Sequence, residues 1–294
     1  MLNVQWFMRG RGIDGWKLMS GTMPTARYSF ASGEVDGVIY CMGGYVSGGT
    51  NKHEAYDVAS DSWSAKANLP YSAYALAGAS LDGKVYALGG GDVVSNVNYN
   101  YQYTPSSNTW ASKAAIHTAK KSLLAVSCNG LLYEMGGIRT SNYSDLEAYD
   151  PSSDTWTQKT SMPYAIQSGM ARTVGGLIYY IGGYTSDNVK YTNVYTPSSN
   201  SWASKTDMPT ARRSSASVVL DGQIHCVGGI DNSGDCDIHE VYDPATDTWT
   251  TKKVYPYKNE GVTAQSVSGK GYCIGGWTPD GGIGSLNKVY EYTP

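Results

Sequence analysis

Phenylalanine is nearly missing from this chain of 294 residues: there are 2, beside 25 tyrosines, 8 tryptophans and 35 glycines. Charge is scarce too. Charged residues make up 16%, against a usual ~25%. The formal net charge of −3 excludes attraction of nucleic acid by bulk positive charge, so any anion site must be a local patch. No apolar run reaches the ~18 residues of a membrane-crossing helix. The opening MLNVQWFMRGRGIDG lacks the continuous apolar stretch of a secretory signal. The 5 cysteines (Cys41, Cys128, Cys226, Cys236, Cys273) are odd in number and far apart, which argues against a disulfide framework and for a reducing, cytoplasmic setting. Length alone allows one or two domains. What is abundant, Tyr, Trp, Val, Ile and Thr with Gly, suits pleated, half-buried strands joined by tight turns.

The chain repeats. Gly-Gly doublets begin at Gly43, Gly89, Gly136, Gly182, Gly228 and Gly275, spaced 46, 47, 46, 46 and 47. Tryptophans at Trp16, Trp63, Trp110, Trp156, Trp202 and Trp249 keep the same beat, spaced 47, 47, 46, 46 and 47. Before each doublet stands a two-residue turn: Asp36-Gly37, Asp82-Gly83, Asn129-Gly130, Gly175-Gly176, Asp221-Gly222 and Ser268-Gly269. Asp-Gly and Asn-Gly favour hairpin turns, so strands A and B flank this point, and strand B ends at the doublet. A tyrosine (Tyr56, Tyr103, Tyr149, Tyr195, Tyr242) leads strand C into a polar turn. Asp or Asn then precedes the tryptophan of strand D by two residues in every copy. Cys41, Cys226 and Cys273 share one strand-B position and read as small buried side chains.

Doublet, spaced tyrosine and spaced tryptophan resemble the kelch repeat over residues 14–294. The resemblance implies an all-β six-bladed β-propeller of four-stranded antiparallel blades around a channel. The sixth copy supplies three strands and stops at Tyr292-Thr293-Pro294, where a tryptophan strand is due. The missing strand is the one holding Trp16, preceded by Asp14. The N-terminal strand is therefore expected to complete the C-terminal blade, leaving no open edge. Residues 1–13 read as an extension and 14–294 as one propeller domain, expected to be monomeric.

In such blades the D–A and B–C connections share one face. The A–B and C–D turns are short and uniform, whereas the B–C loops vary, so function is expected on the first face. Paired positions in the D–A loops read Arg27-Tyr28, Ala73-Tyr74, Lys120-Lys121, Ile166-Gln167, Arg212-Arg213 and Asn259-Glu260. With Lys258 they predict a basic channel mouth. Tyr45, Tyr184 and Trp277 are expected as aromatic walls. Arginine's planar fork suits carboxylate or phosphate. The kelch resemblance implies peptide capture on this face, with Arg27, Arg212 and Arg213 fitting best.

Four histidines, of which His53 and His239 fall in separate blades, do not make the copper site of kelch oxidases. Asp231, Ser233, Asp235 and Asp237 alternate like a calcium loop but lack its glycine and final glutamate. The leading expectation is a non-enzymatic module without metal or cofactor, binding a protein or acidic peptide and neither nucleic acid nor membrane. One alternative is an anionic-sugar site resembling kelch proteins that act on sialic acids, with Glu260, Arg212 and Arg213 at the mouth. Another is a stable repeat scaffold, natural or engineered. YTPSSNTWASK at Tyr103 and YTPSSNSWASK at Tyr195 show little divergence.

Overall fold

A computed structural model describes residues 15–92 and 94–294; Asp14, the extension 1–13 and its Trp6 lie outside them. The first five sheets follow chain order. Blade 1 is Ala31–Val35, Val38–Met42, His53–Asp57 and Ser62–Ala65; blade 2 is Ala77–Leu81, Lys84–Leu88, Asn100–Thr104 and Thr109–Lys113. Blade 3 is Leu124–Cys128, Leu131–Met135, Leu146–Asp150 and Thr155–Gln158; blade 4 is Met170–Val174, Leu177–Ile181, Thr192–Thr196 and Ser201–Lys205. Blade 5 is Ala216–Leu220, Gln223–Val227, His239–Asp243 and Thr248–Thr251. Blade 6 is Thr263–Val267, Lys270–Ile274 and Val289–Tyr292, and its fourth strand is Trp16–Leu18. There Trp16 faces Tyr292, and the Thr293 N–H donates to Gly15 O at 2.8 Å. The architecture is the expected six-bladed propeller, closed by its N-terminal strand.

The turn residues explain the hairpins. Asp36 and Gly37 both take positive φ, 52° and 80°, as a primed turn requires. The Asp or Asn before the tryptophans of blades 1–5 also sits at positive φ, 50° at Asp61 and 54° at Asn108. This residue joins neighbouring blades. Tyr103 OH donates to Asn108 Oδ1 at 2.8 Å, and the same oxygen accepts the Ala67 N–H of blade 1's exit at 2.8 Å. Trp110 Nε1 then donates to Ala67 O at 2.8 Å. Tyr149, Asp154 and Trp156 grip Ala114 in the same way, and Tyr242, Asp247 and Trp249 grip Thr206. At these joints phenol and indole are both satisfied while their rings pack between sheets, whereas Trp16 Nε1 and Trp63 Nε1 are buried without a partner.

All five cysteines are buried and free. Among the described residues no helix is long and apolar enough to cross a membrane.

At the seam between blades 5 and 6, His225 Nδ1 and His239 Nε2 share a hydrogen bond of 3.0 Å. Both rings lie against Tyr292, with centroids 5.4 and 4.8 Å away. Burial lowers the pKa of His225 to about 4 and that of His239 to about 3. Folding therefore favours the neutral rings, and the unfolded chain binds more protons between pH ~6.5 and ~4. Stability is full above that window and falls as pH drops through it. His225 stands where the other strands B carry Tyr40, Tyr86, Tyr133, Tyr179 and Tyr272. Thermal melts from pH 4 to 7 should show this acid loss, and His225→Tyr should flatten it; an unchanged slope would refute the assignment. Deleting residues 1–20 should abolish cooperative melting, because blade 6 loses the strand that covers Val289–Tyr292.

Candidate functional site

Each D–A loop enters its blade through two residues with opposite fates. The first is buried: Arg27, Ala73, Lys120, Arg212 and Asn259 are 0% exposed and Ile166 is 1% exposed. The second (Tyr28, Tyr74, Lys121, Gln167, Arg213, Glu260) is half-buried at the channel mouth. It bridges to the residue after the Gly-Gly doublet: Tyr45, Gly91, Ile138, Tyr184, Ile230 and Trp277 respectively. The next residue turns the chain at positive φ and links the blades. Ser29 N donates to Gly261 O, Ala75 N to Ser29 O, Ser122 N to Ala75 O, Ser168 N to Ser122 O, Ser214 N to Ser168 O, and Gly261 N to Ser214 O. These bonds are 2.7–3.0 Å long and form a closed collar beneath the mouth.

The buried first positions correct the expected basic mouth. Arg27 donates from Nη1 to Glu54 Oε2 and from Nη2 to Cys41 O at 3.0 Å, and Thr25 Oγ1 holds Glu54 Oε1 at 2.8 Å. Arg212 repeats this with Glu240, Cys226 O and Thr210. Both arginines are tied inside their blades, away from solvent. Lys120 is likewise enclosed, 2.6 Å from Asp145 Oδ2 and 3.1 Å from Glu134 Oε1. Glu134, Asp145 and Glu147 could in principle hold a cation, but the Lys120 ammonium already sits among them. Burial pushes the Glu134 carboxyl up to about 8. Asn259 is buried as well and donates to Gly275 O at 3.2 Å. A charge on a buried strand C demands a partner, so Glu54 and Glu240 were the sequence signal for these pairs.

The mouth itself carries two loop cations from the paired positions. Lys121 Nζ donates to Tyr74 OH at 2.9 Å and lies 4.8 Å from that ring's centre. Arg213 stacks 4.6 Å above Tyr184 and donates to Asn188 Oδ1 at 2.7 Å. Tyr45 bridges the wall, 5.2 Å from Tyr28 and 5.3 Å from Tyr74. Glu260 and Trp277 close the ring of positions, and Gln167 lies between the two cations. Burial, then the nearby Asp235, raises the Glu260 pKa above the ordinary carboxylate value, and Arg213 works against the rise. Asp235 is raised by burial and by Asp280. One candidate position escaped sequence reading: Arg172, inside the channel. Its signal was a charge at a strand-A position that holds Gly33, Ala79, Val126, Val218 and Gln265 elsewhere.

The fold is a closed six-bladed β-propeller with an aromatic, mixed-charge mouth. The Kelch motif matches residues 26–70, 73–114, 121–163 and 211–252, more than half of the sequence, and the chain belongs to the kelch family. No curated protein sequence matches it. Among solved structures, one titled "Structure of YjhT" superposes with a TM-score of 0.80 at 15% identity, covering 91% of this chain and 95% of the other. At that identity the likeness establishes the shared fold. Against this likeness the expectation of a non-enzymatic module does not stand.

Arg27→Ala leaves Glu54 buried without its cation and should cost about 3–5 kcal/mol in denaturant unfolding. Arg213→Ala, at the half-open mouth, should change stability by only about 0.5 kcal/mol. Equal losses would contradict the division between inner and outer positions.

Proposed function

We propose that the mouth binds a carboxylated sugar and interconverts its anomers by proton transfer. The observation that carries this reading is Glu260, a half-buried carboxyl of raised pKa at the rim, whose charge is felt by Arg213. Arg213 is suited to the sugar's carboxylate, being held flat on Tyr184 with donors to spare. Tyr28, Tyr45 and Trp277 offer faces and hydroxyls for a sugar ring. Glu260 as carboxylate takes the proton of the anomeric hydroxyl while the ring C–O bond breaks, and hands that proton to the ring oxygen, leaving an open-chain carbonyl and hydroxyl with Glu260 again a carboxylate. Reclosure on the other face of the carbonyl reverses both transfers, so no atom or electron is gained or lost. A raised pKa makes Glu260 a stronger base than an ordinary carboxylate and brings it nearer neutral pH, where taking and returning a proton are better balanced.

Exchange NMR on the anomers of sialic acid tests this. Glu260→Gln should slow enzyme-dependent exchange about 100-fold and keep binding, whereas Arg213→Ala should weaken binding. Exchange at the uncatalysed rate with wild-type protein would reject the proposal.

A second reading rests on Lys121 and Tyr74, which lie together on the arc beyond the shared Tyr45 and Tyr28. That arc fits an acidic peptide side chain and a partner segment laid over the tyrosines. Binding of a fluorescent acidic peptide that is lost in Lys121→Ala but kept in Glu260→Gln would favour it.

A further inference from the structure

Below the collar, the channel is lined by the strands A, whose inner edges have no neighbouring strand. Arg172 crosses this space. Its Nη1 donates to Ala171 O at 2.9 Å, and its Nη2 donates to Ala264 O at 3.0 Å and to Ser217 O. These carbonyls belong to strands A of blades 4, 6 and 5, so one guanidinium ties three inner edges together. Gln265 donates to Ser32 Oγ at 2.9 Å at the same level. Arg172 and Gln265 thus form a waist between a mouth-side cavity of about 130 Å³ and a chamber of about 250 Å³ toward the A–B turns.

That chamber combines a cation with hydroxyls. Among the described residues, no carboxylate forms an ion pair with Arg172. Three carbonyl bonds do not exhaust a guanidinium's donors. Ser127 and Thr173 line the chamber wall, and Ser80 does so without its hydroxyl, which is buried against Gly33 of the neighbouring strand A. Glu34, one strand position further out, also lines the chamber, and its Oε1 accepts the Gly37 N–H of its own hairpin at 2.7 Å. The acceptors that hold Arg172 are all neutral carbonyls, and a half-buried cation so held attracts an anion more strongly than one in bulk water.

We propose that this chamber is a second binding site, separate from the mouth, for a small oxyanion. Its oxygens meet the free donors of Arg172 and the hydroxyl of Ser127. Carboxylate and phosphate share this chemistry, and the volume admits either while excluding a folded partner.

Inorganic phosphate and acetate, titrated separately into the full chain by calorimetry, test the site and tell the two sources apart. Saturable binding of either is expected, and Arg172→Gln should weaken it about tenfold or more, as loss of a charge-assisted hydrogen bond does. Glu34→Gln should tighten it by removing the repelling carboxylate, and Arg213→Ala should leave it in place. If Arg172→Gln does not fold, the wild-type Arg172 Nε–H resonance decides: a saturable shift on titration supports the site. No binding of either anion, or binding indifferent to Arg172, overturns it.

Discussion

The ring depends on one recurring contact: the phenol of strand C, the acidic or amide oxygen of the C–D turn, and the backbone of the preceding blade's exit. The oxygen of Asn108 accepts from Tyr103 and Ala67 at once. Positive φ aims that side chain back at its own tyrosine, and Asp and Asn adopt it at low cost. Replacing the turn residue by one with neither property would lose a turn, a satisfied buried phenol and an interblade hydrogen bond together. At blade 1, Asp61 grips Ser20 and Gly21, which follow the N-terminal strand, so the seam is fastened by the same device as the continuous joints.

Because this contact involves residues of fixed type at fixed spacing, it was legible in the sequence, as were the hairpins and the closing strand. The site was legible only in part. Tyr28, Tyr74, Lys121, Gln167, Arg213 and Glu260 do stand at the mouth. Arg27, Lys120 and Arg212 precede them by one residue, and strand geometry sends adjacent side chains to opposite sides. Their partners Glu54, Glu134 and Glu240 lie a strand or more away in sequence, so spacing within one loop could not reveal them. Arg172 was hidden for the converse reason. A charge in an apolar strand register reads as an exception until the channel carbonyls that receive it are seen.

The buried charges also alternate around the ring. Blades 1, 3 and 5 enter through Thr-Ala-Arg, Thr-Ala-Lys and Thr-Ala-Arg and pair with carboxylates on strands B or C. Blades 2, 4 and 6 enter through Tyr71, Tyr164 and Tyr257, whose rings contact Tyr101, Tyr191 and Tyr290. Ionic and aromatic solutions to the same packing problem thus follow one another. A buried ion pair adds little net stability over an apolar replacement, yet it leaves no tolerance for a missing partner. The interior therefore has an approximate threefold order within the sixfold ring, and the mouth inherits neighbours of unlike character.

The collar at the mouth runs in one sense: every blade donates to the blade before it, and the last bond, Ser29 N to Gly261 O, is indistinguishable from the rest. Such a homodromic cycle has no first donor and no last acceptor, and its dipoles polarise one another around the circle. A ring with one blade fewer or more could keep the cycle only by changing its diameter, and so the spacing of Arg213, Glu260 and Lys121. Blade number is in this sense a specificity determinant: it sets the bore against which any ligand at the axis is measured.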